Sequence, residues 1–486
     1  MNYVKAATIV ILAVCLTACS SKPVDDGKVP ISTTSKEARE LFVQAQDLND
    51  KLRGNEAIPL LQQAVALDSN FAQAHLLMSQ TAPGAAEFFA SLEAARRTAT
   101  FASEAEQWMI QAFDAAVAGN TTQQLQTLQK LAAARPGDER VHMLMGNFYF
   151  AQQNWTEAVA AYQKAAAIDS SFSPVYNQLG YSYRFSDRDT DAESAFKKYI
   201  QLIPNDPNPY DSYAELLMRL GRYDESIAQY EQALKVQPTF PPSYFGIASN
   251  LNFLGRYEDA RKKMQEFLDF AVNDGQRRAA FAGMAVSYID EGKYDLGLEM
   301  LQKQFEIAAG KNDFAAMSGD VNLMGTVLIE MGRYDDALAK FKETVEMQAK
   351  AENNSDQLSD QARLNYQYDA GRVAAWSGDL AVAKEMLASY KSRAEAAQNR
   401  FQIWQAHQLA GIIATKEKNW EEALIQLKQS NLQNPYNLYL IGEVYNAMGD
   451  AAQSQDYFTK AYNYNLVNNL LQSMARQRIA LIQRKA

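Results

Sequence analysis

The sequence predicts an all-α solenoid of about twelve helical hairpins, and three observations carry that expectation. Pro136, Ser170, Pro204 and Pro238 stand 34 residues apart, so one structural unit recurs at a fixed period. Within a period, a small residue is followed sixteen positions later by a large one: Gly146 and Tyr162, Gly180 and Phe196, Ala214 and Tyr230, Ala248 and Met264. The text Gly221-Arg222-Tyr223-Asp224 returns as Gly255-Arg256-Tyr257-Glu258, Gly292-Lys293-Tyr294-Asp295 and Gly332-Arg333-Tyr334-Asp335.

Composition bounds the function. Of the 486 residues 47% are hydrophobic, which excludes wholesale disorder. With 57 acidic against 47 basic side chains the net charge is −10, which argues against binding a phosphate backbone. Two cysteines exclude a disulfide scaffold or a thiolate metal cluster.

The first element is an address rather than part of the fold. Lys5 precedes an uncharged run from Ala6 to Ala18. As a helix that run spans about 20 Å, short of the ~30 Å hydrocarbon core. It ends Leu16-Thr17-Ala18-Cys19, followed by Ser20 and Ser21. This resembles the lipobox of bacterial lipoproteins. The resemblance implies a signal peptide at 1–18, lipidation of Cys19 with diacylglycerol and an acylated amine, and sorting to the outer membrane through Ser20. Cys15 leaves with the signal, and loss of Lys5 takes the charge from −10 to −11. Residues 19–35 follow, polar with two prolines and no periodicity, and read as a flexible tether of up to ~50 Å.

The repeats come next, with unit starts at 38, 105, 139, 173, 207, 241, 278, 318, 364, 404 and 435. Their grammar resembles the tetratricopeptide repeat, a pair of antiparallel helices per unit. In that family positions 8 and 20 are small because helices A and B cross closely. Here position 20 departs only at Gln124. Position 24 is large, from Leu61 and Leu128 through Tyr162, Phe196, Tyr230 and Met264 to Leu387, Leu427 and Phe458. Each hinge glycine accepts the left-handed conformation that ends helix A, and the acid after it faces the positive end of helix B. Residues 72–104 fit poorly, with Pro83-Gly84 breaking a helix, and read as a divergent pair. Insertions, the longest at 352–363, suggest an N-terminal array at 36–310 and a C-terminal array at 311–468. Residues 469–486, with Arg476, Arg478, Arg484 and Lys485, read as a capping helix with a polar outer face.

Chemistry is sparse. His75, His142 and His407 lie in different units without metal-ligand spacing, so no metal and no cofactor are expected. No phosphate loop and no motif for an activated nucleophile is present, and no catalytic residue is assigned. What the resemblance implies instead is a right-handed superhelix whose concave groove is lined by positions 2, 5, 9, 12 and 13 of helix A. Carried over, the groove residues are Asn147, Asn177, Tyr181, Arg184, Asn208, Asp211, Glu215, Arg219, Asn252, Arg372 and Trp376. Phe150, Phe185, Phe245, Phe253, Asn322, Tyr368, Tyr436, Tyr439, Glu443 and Asn446 extend the set. Amides suit a peptide backbone, aromatics its side chains and Arg its carboxylates. Met143 stands where the family's carboxylate clamp has lysine, so capture of a chain terminus is not expected. The expected function is an envelope scaffold or adaptor, membrane-anchored by its lipid, that binds other proteins and not nucleic acid. An envelope enzyme or glycan-handling module using Tyr181, Glu215 and Trp376 is the alternative, and a structural spacer a third.

Overall fold

The computed structural model describes residues 27–351 and 355–484. The signal segment, Cys19 and the start of the tether lie outside them. Among the described residues there are 25 α-helices, one short 3-10 turn (Ala99–Phe101) and no strand. The chain divides into two compact units, Met1–Val175 and Tyr176–Ala486.

Unit one is a stack of four hairpins. They are α1 (Lys36–Asp50) with α2 (Gly54–Leu67), and α3 (Ala72–Thr81) with α4 (Ala85–Thr98). Then come α5 (Glu104–Val117) with α6 (Thr121–Ala134), and α7 (Glu139–Ala151) with α8 (Trp155–Ile168). The divergent stretch is thus a true hairpin, and Pro83-Gly84 forms its turn. Phe42 and Phe71, ring centroids 4.9 Å apart, seal the first two hairpins together with Leu61 and five buried alanines. Ser103 and Glu106 form a reciprocal capping box that starts α5.

Unit two begins at the boundary with α9 (Ser173–Phe185) and α10 (Asp189–Leu202). Next are α11 (Asn208–Arg219), α12 (Tyr223–Val236), α13 (Pro241–Phe253) and α14 (Tyr257–Asp269). Longer pairs follow: α15 (Asp274–Asp290), α16 (Tyr294–Ala309), α17 (Phe314–Glu330) and α18 (Tyr334–Lys350). The array ends with α19 (Asp356–Ser377), α20 (Leu380–Ala396), α21 (Arg400–Lys416), α22 (Trp420–Lys428), α23 (Pro435–Met448) and α24 (Ala451–Tyr462). A last helix, α25 (Leu470–Gln483), has no partner in sequence.

The small-large rule has a geometric cause. A Cβ added to Gly146 would sit 2.3 Å from the Tyr162 ring, and one on Gly180 2.5 Å from Phe196. The same clash recurs at Gly325 with Phe341, Gly411 with Leu427 and Gly442 with Phe458. Backbone and ring touch directly, so these helices close to a distance that no side chain at the glycine would permit. Gly371 breaks the register: its Cβ would meet Leu409 and Met386, and the sealed ring of that hairpin is Tyr390, not Leu387. Tyr390 stands three residues beyond Leu387, so the sealed position of this hairpin lies about one helical turn further along α20. Gly221, Gly255, Gly292 and Gly332 take φ of 72 to 83°, as their hinge role requires.

Two terminal segments depart from expectation. Residues 27–35 do not dangle. The backbone N–H of Val29 donates to Asp138 (2.7 Å), that of Ser32 to Glu106 (2.8 Å) and that of Thr34 to Asp68 (3.2 Å). Gln73 donates to the Pro30 carbonyl at 2.6 Å, and Lys28 pairs with Glu139 at 2.7 Å. This segment therefore lies across α7, α5 and α3, three of its amides answered by carboxylates, which are stronger acceptors than neutral oxygens.

Nor is α25 a one-sided cap with a polar outer face. It packs against α15, α23 and α24 and buries Met474, Ala475 and Ile479. Arg476, only 4% exposed, donates from Nε to Asp290 (3.0 Å), with its guanidinium 4.1 Å from the Tyr462 ring centroid. Arg478 donates to Glu330 at 2.8 Å. In the approach to α25, Asn465 donates to the Met218 carbonyl (3.0 Å), and the N–H of Asn468 donates to Ser249 (2.9 Å). Its apolar stripe needs cover on more than one side, which only the inner face of unit two supplies.

Gly180→Ala should destabilise unit two by about 1–3 kcal/mol through overpacking. In Gly180→Ala/Phe196→Leu the two losses should sum to less than their separate values, because the smaller side chain yields room. Urea unfolding of the four proteins checks both outcomes.

Candidate functional site

The groove residues carried over from the repeat pattern fall in three places. The first is a knot on α9, α11 and α13. Tyr181 donates its hydroxyl to Glu215 (2.9 Å), and Arg184 donates from Nη1 to the other oxygen of Glu215 (2.5 Å). Arg184 is 2% exposed, and its Nε has no hydrogen-bond partner. One turn back on α11, Asp211 accepts from Ser243 (2.9 Å) and Asn208 accepts from Tyr199 (3.2 Å). Burial raises the Asp211 carboxyl to about 7; the Ser243 hydrogen bond opposes this and the Glu215 charge adds to it. Burial also drives the Tyr181 hydroxyl well above its ordinary value. These side chains answer one another instead of standing as separate pegs. Asn177 and Asn252 are buried alongside, each with a carbonyl oxygen that no protein group meets. Arg219, farther along α11, reaches Asp187 at 3.4 Å and faces the Tyr464 ring of the C-terminal segment at 5.8 Å.

A second place is a cleft of about 400 Å³ in unit one. Asn147 lines it, exposed, with its carbonyl accepting from Tyr162 at 2.8 Å. Of the remaining wall only Met143 was named from sequence, at the clamp position; Leu76, Met109, Phe113 and Phe148 join it in supplying apolar surface. Arg140 and Asp50, paired through two bonds of 2.9 and 2.5 Å, stand beside them. Their charges lie 90 residues apart in the chain, so no local spacing announces the pair.

The third place is a chamber of about 730 Å³ in unit two. Arg372 lines it, donating to Asp369 at 3.1 Å, and Asp369 also accepts from Asn322 at 3.0 Å. Trp376, one turn on, lies between Lys416 (4.2 Å) and Arg478 (5.5 Å). The amide-rich text Asn431 to Asn437 also lines the chamber. That run was the available signal in the sequence, of which only Tyr436 was named.

The histidines are packing groups with local partners. His75 meets the Ser69 carbonyl, His142 that of Pro136, and His407 the Gln426 amide, at 3.1, 2.9 and 2.7 Å. Among the described residues no group of three metal-ligating side chains converges, and no helix is long and apolar enough to cross a membrane.

Comparison with known proteins agrees with the hairpin geometry. The tetratricopeptide repeat is matched at residues 173–206, 207–240 and 435–468, and a TPR repeat at 146–184. Repeats of this kind generally mediate protein–protein interactions and typically form non-catalytic scaffolds. No curated protein matches the chain. Among solved structures, a tetratricopeptide repeat protein from Parabacteroides merdae is 14% identical over 53% of this chain and 96% of that one, with a TM-score of 0.40. A thermophilic TPR protein of Thermus thermophilus is 19% identical over 44% and 98%, with a TM-score of 0.30. YrrB, described as a TPR protein with an unusual peptide-binding site, is 19% identical over 37% and 91%, with a TM-score of 0.28.

The knot has a pH signature. Because the Asp211 carboxyl is raised to about 7 in the folded chain, folding takes up a proton there. Its contribution is therefore fully present below about pH 4, falls as pH rises from there to about 7 and is constant above. Asp211→Asn removes the group, so its stability relative to wild type should rise by about 2–3 kcal/mol between about pH 5 and pH 8. Urea titrations at both pH values check the sign.

Proposed function

We propose that the protein is a lipid-anchored scaffold of the bacterial cell envelope that seats a segment of a partner protein in the cleft of unit one. The observation that carries this reading is the composition of that cleft. Methionine and phenylalanine line it beside Asn147 and the amides of Gln46, Asn49 and Gln80. Unbranched methionines adapt to side chains of different shape, and carboxamides answer a peptide backbone without demanding one charge. The alternative of an enzyme using Tyr181 and Glu215 finds less support, because those groups are engaged with each other and with Arg184.

The anchor reading rests on Leu16-Thr17-Ala18-Cys19, and Ser20 favours the periplasmic face of the outer membrane. With residues 27–35 held on unit one, only the stretch between Cys19 and Gly27 is left to span the gap to the bilayer. Eight residues reach at most about 28 Å. That keeps unit one close to the headgroups, where a partner that is itself membrane-bound meets it first.

Met143→Lys combined with Asn147→Ala should reduce capture of envelope proteins by the purified chain at least tenfold, with the helical melting curve unchanged. Undiminished capture by that double variant removes the cleft from the mechanism. Cys19→Ala should move the protein from the membrane to the soluble fraction after cell lysis; a variant that still sediments with membranes refutes the lipid anchor.

A further inference from the structure

The 730 Å³ chamber of unit two differs in kind from the cleft of unit one. Ten of the residues lining it are asparagine or glutamine. Its two charged residues, Asp369 and Arg372, neutralise each other at 3.1 Å. Gln408 and Asn437 spend both ends of their amides within the protein, while Asn365, Gln405, Asn434 and Asn469 have only the carbonyl engaged there; the wall thus offers mainly NH2 donors and no net charge, which suits neither a phosphate, a carboxylate nor a cation.

Several amides are oriented from behind. Tyr390 donates to the carbonyl of Gln405 (2.6 Å), and Gln361 donates to that of Asn365 (2.7 Å). The NH2 of each is then the group presented to a ligand. Tyr368 donates to Gln408, and Gln408 in turn to Asn437, a relay that fixes the direction of every amide along it. Aromatic surface stands on the same wall at Trp404 and Phe401, the Trp404 ring being stacked under the Arg400 guanidinium at 4.5 Å.

We infer that this chamber is a binding site for a neutral oligosaccharide of two or three pyranose rings. The NH2 groups of Gln405 and Asn365 can donate to sugar hydroxyl oxygens, and the apolar face of a pyranose packs on an aromatic ring. The volume falls in the range of small-ligand sites, about 300–1,000 Å³. An extended peptide fits less well. Its path along the A helices is taken by the chain's own C-terminal segment, which touches Met218, Ser249, Asp290 and Glu330 in turn. The same segment walls the chamber through Asn468 to Leu471. The inference is independent of the scaffold reading and uses different residues.

Isothermal titration of the full mature chain with maltotriose, cellotriose and chitotriose tests it, beside an uncharged hexapeptide. At least one trisaccharide should bind with Kd below about 1 mM. Trp404→Ala and, separately, Asn365→Asp should each weaken that binding at least tenfold, with melting temperatures near wild type, whereas Met143→Lys should leave it unchanged. Absence of binding by all three sugars at about 10 mM overturns the inference. So does sugar binding that survives both chamber variants, or a hexapeptide that binds more tightly than any sugar.

Discussion

One steric relation governs this molecule: a residue without a side chain, or with only a methyl, lies directly against a large group sixteen positions later. Gly146 against Tyr162 and Gly180 against Phe196 show its limit, where a single added carbon would occupy the ring itself. At Gly146, Gly180, Gly325, Gly411 and Gly442 the relation is closed within one hairpin, whereas Gly246 of α13 lies against Tyr230 of α12, so the same device also sets the spacing between neighbouring hairpins. Stacking then follows, because each hairpin still exposes one apolar face that only another hairpin can cover.

The polar interior obeys a second rule. Position for position, groove residues of successive repeats stand about one period apart in sequence and next to one another in space. Tyr181 and Glu215 are separated by 34 residues, and Arg184 and Glu215 by 31. A tyrosine, an arginine and a glutamate so placed satisfy each other before any ligand arrives. Breaking such a buried pair by removing one member leaves the other charge uncompensated, which typically costs several kcal/mol. The knot is accordingly an organiser of α9, α11 and α13, while the cleft and the chamber retain unspent surface.

Much of the architecture was legible because its cause is local. The 34-residue period, the hinge glycines and the small-large pairs all act within a few dozen residues, and they located the hairpins and the turns. The divergent pair α3 and α4 was readable only as a helix break at Pro83-Gly84. Asn147 and Arg372, named from their helix positions, line the cleft and the chamber respectively. Other features depend on contacts that no periodicity encodes. Arg476 meets Asp290 across 186 residues, and Asn465 meets Met218 across 247. The carboxylates that hold residues 27–35 are likewise ordinary surface acids in the sequence, and gain their meaning only when α3, α5 and α7 stand side by side.

The return of α25 to the inside of unit two changes how that unit comes into being. An ordinary solenoid gains stability link by link, each hairpin adding to the last. Here α25 bonds to residues 186 and 148 positions earlier, so unit two cannot lock until that helix has been made. Until then Phe253, Tyr462 and the buried acid Asp290 lack the guanidinium that covers them. A truncated product ending shortly after α24 is thus born with its centre open, and becomes a substrate for proteolysis rather than a slightly shorter version of the same protein.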